Sequence, residues 1–365
     1  MNIDKKDGEY MELYPLIFEE IYKEKIWGGK GLEKIYNRKL PNNKIGESWE
    51  VAAHPHGMSI VKNGIYKGKS LLELINKYPD KILGNKLDTK KKDYFPLLIK
   101  IIDANEKLSV QVHPDDDYAS RVENEAGKTE MWYILAAKPG AKLVYGLKPG
   151  TKRKDFAEAV KNGFLEKYLN KVEVEKGDII YMPAGTIHAI EEGILLAEIQ
   201  QNSDTTYRVY DWNRVGIDGK PRELHIEKAL DVINFNKEGV EAKNTPLSIE
   251  YRAYKRSFLA SCPYFITEKI EVKEEYILNP DNSRFHVLLN LKGQGNILCD
   301  GKIYQLNPGN TYFLPAGLQE ISFTGQVEFL LTYLENSKEE IINLLSSLNF
   351  SEEKINNLPG LKNWD

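Results

Sequence analysis

Ser109-Val110-Gln111-Val112-His113-Pro114 reads as a β-strand with two unlike faces. Val110 and Val112 alternate with Ser109, Gln111 and His113, and a period of two sends the two sets to opposite sides of a sheet. The valines suit a core. The other face carries a hydroxyl, an amide and an imidazole in a row, and such a row inside a fold needs partners. A bound metal would supply one: His and carboxylate are zinc ligands, and a neutral Gln oxygen can complete a mixed N/O site. A second strand-like run, Lys128-Thr129-Glu130-Met131-Trp132-Tyr133-Ile134-Leu135, puts Lys128 and Glu130 on a shared face by the same alternation.

Gly177-Asp178-Ile179-Ile180-Tyr181-Met182-Pro183-Ala184-Gly185-Thr186-Ile187-His188 adds an imidazole. A glycine, five residues, then Pro-x-Gly-x-x-His is the second half-motif of the cupin barrel, in which the turn ends a strand and presents the His to the interior. The first half of that motif usually carries His-x-His and a later Glu. Here it is Gln111-x-His113, with Glu130 at a longer spacing.

Taken together, these residues resemble type I mannose-6-phosphate isomerase (phosphomannose isomerase) in its shorter bacterial form. The resemblance runs through Lys25-Ile26-Trp27-Gly28-Gly29, Gly46-Glu47-Ser48-Trp49-Glu50-Val51-Ala52 and Pro96 to Asp103. It continues through Ser109-x-Gln111-x-His113-Pro114-Asp115-Asp116, Lys128-x-Glu130-Met131-Trp132, Pro183-Ala184-Gly185-Thr186-x-His188 and Ser203-Asp204-x-x-x-Arg208, and weakens before residue 12 and after about Asn236. It implies a zinc-dependent cupin enzyme with one Zn2+ held by Gln111, His113, Glu130 and His188, and with Arg208 as catalytic arginine. It also implies Lys100, Ser109, Lys128 and Asp204 as substrate-binding residues for a sugar phosphate.

The whole chain agrees with a soluble enzyme. Its 365 residues allow a large core and more than one domain. A net charge of -4 gives no reason to expect nucleic-acid binding. No apolar run approaches a membrane span, and Met1 to Tyr10 lacks the apolar core of a signal peptide. Cys262 and Cys299 make no metal motif, and free buried thiols in a reducing cytoplasm are the expectation for them.

Along the chain, residues 1 to about 11 read as a loose polar leader. His54 and His56 form a His-x-His pair, but Pro55 and Gly57 make it a turn rather than a metal site. Ser70 to about Leu87 changes to a helical period, with Leu71, Leu72, Leu74 and Ile75 recurring and Ser70 and Glu73 forming a capping box. Lys90-Lys91-Lys92 reads as a solvated loop. From Pro96 to Trp212 short strands dominate, interrupted by a helical patch at Lys152-Asn162, and the glycine, proline and aspartate turns between them indicate a barrel or sandwich.

Gly177 to His188 aligns without gaps to Gly309-Asn310-Thr311-Tyr312-Phe313-Leu314-Pro315-Ala316-Gly317-Leu318-Gln319-Glu320, with Glu320 where the first copy has His188. Such a repeat predicts a second, degenerate cupin unit. The expected fold is mainly β: two cupin (jelly-roll-like) barrels with a small helical insertion. The expected domains are 1–240 (catalytic, with the insertion near 70–90), 245–335 (a C-terminal cupin without a metal) and 336–365 (a tail with a short helix at Glu339-Leu348). The boundary is expected in Asn234-Asn244, and His286 has no partner motif.

Interconverting an aldose phosphate and a ketose phosphate moves a proton between C1 and C2 through an enediol. A divalent metal polarises the carbonyl, an acid/base pair moves the protons, and cations away from the metal hold the phosphate. Plain structural roles compete with these assignments. Ser109 can satisfy a backbone group, Lys128 can pair with a surface acid, Asp204 can be a turn residue, and Glu198 and Gln200 can be second partners or mere barrel polars. A cupin metal oxygenase is the alternative within catalysis, though such sites want more histidines around iron than Gln111 allows. A non-catalytic sugar-binding cupin is the alternative outside it.

Overall fold

The computed structural model of the chain describes residues 11–87, 93–236 and 242–364. The polar leader through Tyr10, Lys90-Lys91-Lys92 and the middle of the expected domain boundary lie outside the described residues.

Three large antiparallel sheets carry the fold. A six-stranded sheet runs in the order Ile21–Gly29, Ile45–Val51, Leu97–Ala104, Ile194–Gln201, Glu130–Ala137, Ile179–Met182. A five-stranded sheet runs Tyr207–Tyr210, Val110–Val112, His188–Ile190, Lys142–Leu147, Leu169–Glu173. The third, eight-stranded, is built from the chain between Leu247 and Tyr333. The class is mainly β, as expected; the hydrogen bonding runs in packed sheets rather than around closed barrels.

Alternation explains how the first two sheets enclose a site. All eight residues of Leu97–Ala104 are buried, as in a strand covered on both faces. Leu97, Ile99 and Ile101 join Met131, Tyr133, Leu135, Ala197 and Ile199 in a core that also holds Phe313 and Leu330 of the third sheet and Phe285 just before it. Their neighbours Ile102, Trp132, Ile134 and Leu196 point the other way, onto Leu143, Tyr145 and Ile190 of the five-stranded sheet. The six-stranded sheet is therefore sandwiched, with the C-terminal unit covering its back. The five-stranded sheet sends Val110, Val112, Val144 and Ala189 outward, against Phe156 of the helix Arg153–Lys161 and Ala229 of the helix Ile226–Val232.

Local chemistry sets the helices. Ser70 caps Leu71–Lys77 in a full capping box with Glu73. The helical period expected to about Leu87 stops at Tyr78, because Pro79 disfavours helix in the residue before it, and a separate short turn Pro79–Ile82 follows. The helix expected near Glu339–Leu348 is Lys338–Ser347, capped by Ser337, and a shorter helix Glu352–Asn356 follows it. No helix of the described residues is long and apolar enough to cross a membrane.

The two units are also pinned by a buried ion pair. Arg38 meets both oxygens of Glu50 at 2.7 and 2.9 Å and donates to the Gly309 carbonyl, while Thr311 Oγ1 donates to Glu50 at 3.0 Å.

Candidate metal and substrate site

The row read from the sequence lies inside the space between the two N-terminal sheets. His188 opens its strand directly opposite Gln111 on one side and Tyr145 on the other, and Arg208 lies opposite Gln111 on the next strand. The Pro183-Ala184-Gly185 turn delivers His188. Gly185 has φ of 79°, its amide donates to the His113 carbonyl at 2.8 Å, and a Cβ there would stand 2.8 Å from the Val232 carbonyl oxygen.

His113, Glu130 and His188 converge: one ligand atom from each lies within 4.8 Å of the others, and all three are buried. Both imidazoles are held by their outer nitrogens. His113 Nδ1 donates to the Thr205 carbonyl and His188 Nδ1 to the Thr186 carbonyl, each at 2.8 Å. This fixes the tautomers and aims both Nε2 lone pairs inward, the arrangement that metal-bound histidines adopt. Burial, reinforced by the Lys128 ammonium, holds the His113 pKa well below its ordinary value, and burial takes that of His188 to about 4. Both rings are therefore neutral, as a ligand must be.

Glu130 is fully buried, and neither of its oxygens receives a well-directed hydrogen bond. The Lys128 ammonium stands 2.9 Å from Oε2, but its hydrogen-bonding geometry favours His113 Nε2 at 3.2 Å. Burial pushes the Glu130 carboxyl above the ordinary range. A carboxylate left under-bonded beside two inward lone pairs fits a divalent cation, which would satisfy all three. Gln111 completes the cluster, its amide nitrogen 3.3 Å from His188 Nε2. A half-turn of that amide exchanges its nitrogen for its oxygen.

Beside this cluster opens a cavity of about 260 Å3, to which Gln111 and Lys128 contribute. It is lined by five cations, Lys25, Lys100, Lys128, Arg208 and Arg222, against three carboxylates, Glu47, Glu198 and Asp204. Lys100 Nζ is 3.3 Å from Glu198. Burial opposes its charge, but Glu198 and Glu47 outweigh burial and raise its pKa. Arg208 donates through Nε to Ser109 Oγ at 3.3 Å and through Nη1 to the Glu223 carbonyl at 2.9 Å. The pocket thus combines a buried cation-binding corner with a net positive wall.

Lys100, Ser109, Gln111, Lys128, Asp204 and Arg208 line this space, and His113, Glu130 and His188 cluster behind Gln111 and Lys128. Ser109 touches Gln111 and Arg208, Lys128 pairs with buried Glu130 rather than a surface acid, and Asp204 lines the cavity while holding His56 Nδ1 at 3.0 Å. His54 and His56 stand apart, with His54 Nε2 on Glu125 at 2.8 Å. In the second unit, Glu320 is exposed and outside the strands.

Four titratable liners had no place in the sequence reading of the site. Lys25 and Glu47, paired at 2.9 Å, lie in stretches quoted only for their resemblance; Arg222 and His225 come from a loop with no periodicity to betray them.

A family model described as "Phosphomannose isomerase type I, catalytic domain" matches residues 16–138, and one described as "Mannose-6-phosphate isomerase, cupin domain" matches residues 254–334. A mannose-6-phosphate isomerase of Streptococcus mutans is 38% identical over 319 residues, which is 87% of this chain and 98% of that protein. A probable mannose-6-phosphate isomerase of Bacillus subtilis is 40% identical over 88% of this chain and 99% of its own length. The crystal structure of a mannose 6-phosphate isomerase from Bacillus subtilis superposes with a TM-score of 0.81 at 34% identity, covering 87% of this chain and 99% of that one.

Proposed function

This chain belongs to the type I phosphomannose isomerase family, and from that membership we propose that it interconverts D-mannose 6-phosphate and D-fructose 6-phosphate. The observation that carries the proposal is the His113–Glu130–His188 cluster, joined through Gln111 and Lys128 to a cavity whose wall is net positive.

His113, Glu130 and His188 would hold a single divalent ion, with the Gln111 amide oxygen as fourth ligand. Neutral imidazole, carboxylate and amide ligands suit zinc. When bound, the ion supplies Lewis-acid polarisation of the sugar carbonyl oxygen. The rest of the chemistry belongs to side chains. Lys100, Lys128 and Glu198 form a chain of contacts at 3.3 and 3.9 Å, and these ammonium donors and carboxylate would serve proton transfer between C1 and C2 of a bound sugar. Arg208 offers a planar fork to the phosphate or to the oxyanion that develops in the enediol step. Ser109 holds Arg208 and Gln111 in register, and Asp204 serves the substrate from the rim.

The enzyme is expected in the cytoplasm, in keeping with the free, buried thiols of Cys262 and Cys299. The test is metal analysis of the purified chain beside a coupled assay with mannose 6-phosphate. One zinc per chain with turnover supports the proposal; a zinc-loaded chain inert toward mannose 6-phosphate refutes it. Oxygen uptake in the presence of substrate would point to the oxygenase chemistry instead.

A further inference from the structure

The C-terminal unit keeps a cavity of its own, about 540 Å3, between the eight-stranded sheet and the helix Lys338–Ser347. Strand register shows how it relates to the first. Met182 lies opposite Glu130, and Leu314, which repeats Met182 in the gapless alignment, lies opposite His286. Two residues further on, Trp132 faces Glu198 and Glu198 faces Lys100; correspondingly Leu288 faces Leu331 and Leu331 faces Glu268. One strand beyond, Ile102 faces Glu47 and Ile270 faces Arg256. His286 therefore stands where the first unit has Glu130, Glu268 where it has Lys100, and Arg256 where it has Glu47. The second cavity occupies the position of the first with its key charges exchanged.

Its electrostatics differ accordingly. Arg256 binds both oxygens of Glu268, and Tyr333 Oη donates to the same carboxylate at 2.6 Å. Arg284 pairs with Glu335, and Lys86 with Glu335 and Glu340. Every cation of the lining is answered by a carboxylate, three against four, so the wall lacks the excess positive charge that a phosphate requires. Between these pairs stand the rings of Tyr276 and Tyr333 and the amides of Asn279 and Asn343. His286 is 7% exposed, lines the cavity, and has no hydrogen-bond partner among the described residues. Burial, with Arg284 adding to it, holds its pKa down to about 3, so the ring is neutral and presents one donor and one acceptor. Its nitrogens open into the cavity, where a hydroxyl of a ligand can reach them.

We propose that this second cavity is a binding site for a neutral, hydroxyl-rich small molecule of the unphosphorylated sugar or polyol class. Hydroxyls both donate and accept, so they can serve His286, the two amides and the outer edges of the ion pairs without breaking any pair. The site is independent of whatever turns over in the first cavity.

His286 is the one histidine of six beyond residue 245, which makes it a local reporter. The full-length protein is labelled with 13C-histidine, and the His286 resonance is assigned by its loss in His286→Leu. D-Mannose is titrated with mannose 6-phosphate present throughout to fill the first cavity. The expected result is a saturable shift of the His286 resonance. It should weaken at least tenfold in Asn343→Trp, which fills the rim from an exposed helix position, while isomerase turnover and the melting temperature of that variant stay at wild type. The proposal is overturned if D-mannose, D-fructose and D-mannitol all leave His286 unmoved up to about 100 mM, where a millimolar site is saturated. It is equally overturned if inorganic phosphate moves the resonance as far as the neutral sugars do, or if Asn343→Trp leaves the response intact.

Discussion

Replacing Arg208 by alanine should separate turnover from folding and from metal retention. Its side chain makes two hydrogen bonds, to Ser109 Oγ at 3.3 Å and to the Glu223 carbonyl at 2.9 Å, and neither engages Nη2. Losing both costs about 1–3 kcal/mol of folding free energy. No buried charge is stranded, because the neighbouring Asp211 keeps Arg214 and Arg222 at 2.8 and 2.5 Å. The guanidinium makes no contact with His113, Glu130 or His188, and being protonated it is no metal ligand. Zinc content should therefore stay at the wild-type level in a folded protein. Turnover of mannose 6-phosphate should fall about 100- to 1,000-fold, the effect of removing one well-aimed donor from a developing oxyanion, about 2.7–4 kcal/mol. Arg208→Lys should recover only part of the loss, since a point charge does not replace a planar fork. The measurements are the coupled isomerase assay, elemental analysis for zinc and a thermal melt. Loss of the metal in Arg208→Ala, or wild-type turnover, would refute the reasoning; a change confined to KM would make Arg208 a ground-state phosphate clamp.

Three further outcomes follow from named contacts. His113→Ala and Glu130→Ala should each lower bound zinc at least tenfold by elemental analysis, and full occupancy in both would remove the proposed site. Arg38→Ala should cost about 3–5 kcal/mol in urea unfolding, because Glu50, 4% exposed, loses its cation; the double change Arg38→Met with Glu50→Leu should cost much less, and equal costs would show that the stranded charge is not the cause. Glu47 gives a pH signature: burial opposes its charge, but Lys25, then Lys100, hold its pKa at about 2, below the ordinary 4.5. Its stabilisation is thus complete above that ordinary value and is lost as pH falls toward the folded value. Glu47→Gln should flatten the decline of the urea midpoint across that interval, and an unchanged slope would count against the pairing.

The floor of the site was legible in the sequence for a definite physical reason. Its residues sit on strands buried on both faces, where a polar residue among apolar ones is costly and so conspicuous. Lys100 among the leucines and isoleucines of 97–102, Gln111 between two valines, and Glu130 ahead of Met131-Trp132 stand out through parity alone. The Pro-x-Gly-x-x-His turn then supplied His188, because a positive φ and a close approach to Val232 leave Gly185 little alternative. The walls were less legible. Arg222 and His225 arrive on a loop whose course depends on Asp211 gathering Arg214 and Arg222, a tertiary contact with no period to reveal it. The helix Asp116–Val122 was missed although Asp115 caps it through the Tyr118 amide at 2.9 Å, because its single turn or two carries too few apolar residues for a helical period to register.

The second cavity shows the same limit from the other side. The repeat of Gly177–His188 in Gly309–Glu320 announces a second unit, and Glu320 in place of His188 suggests only that something was lost. What stands in its place can be seen only by counting across five strands, from Leu314 to His286, from Leu288 to Leu331, on to Glu268, and from Ile270 to Arg256. Those residues are far apart in sequence, and in the primary structure Arg256 and Glu268 look like ordinary surface charges on alternating strands. Folding buries Glu268 completely and brings the Arg256 guanidinium onto it. A buried pair of this kind adds little net stability over apolar residues of the same size. The Arg256–Glu268 pair and the His286 ring line an open cavity rather than packed core, which is the placement a ligand site needs and a structural brace does not.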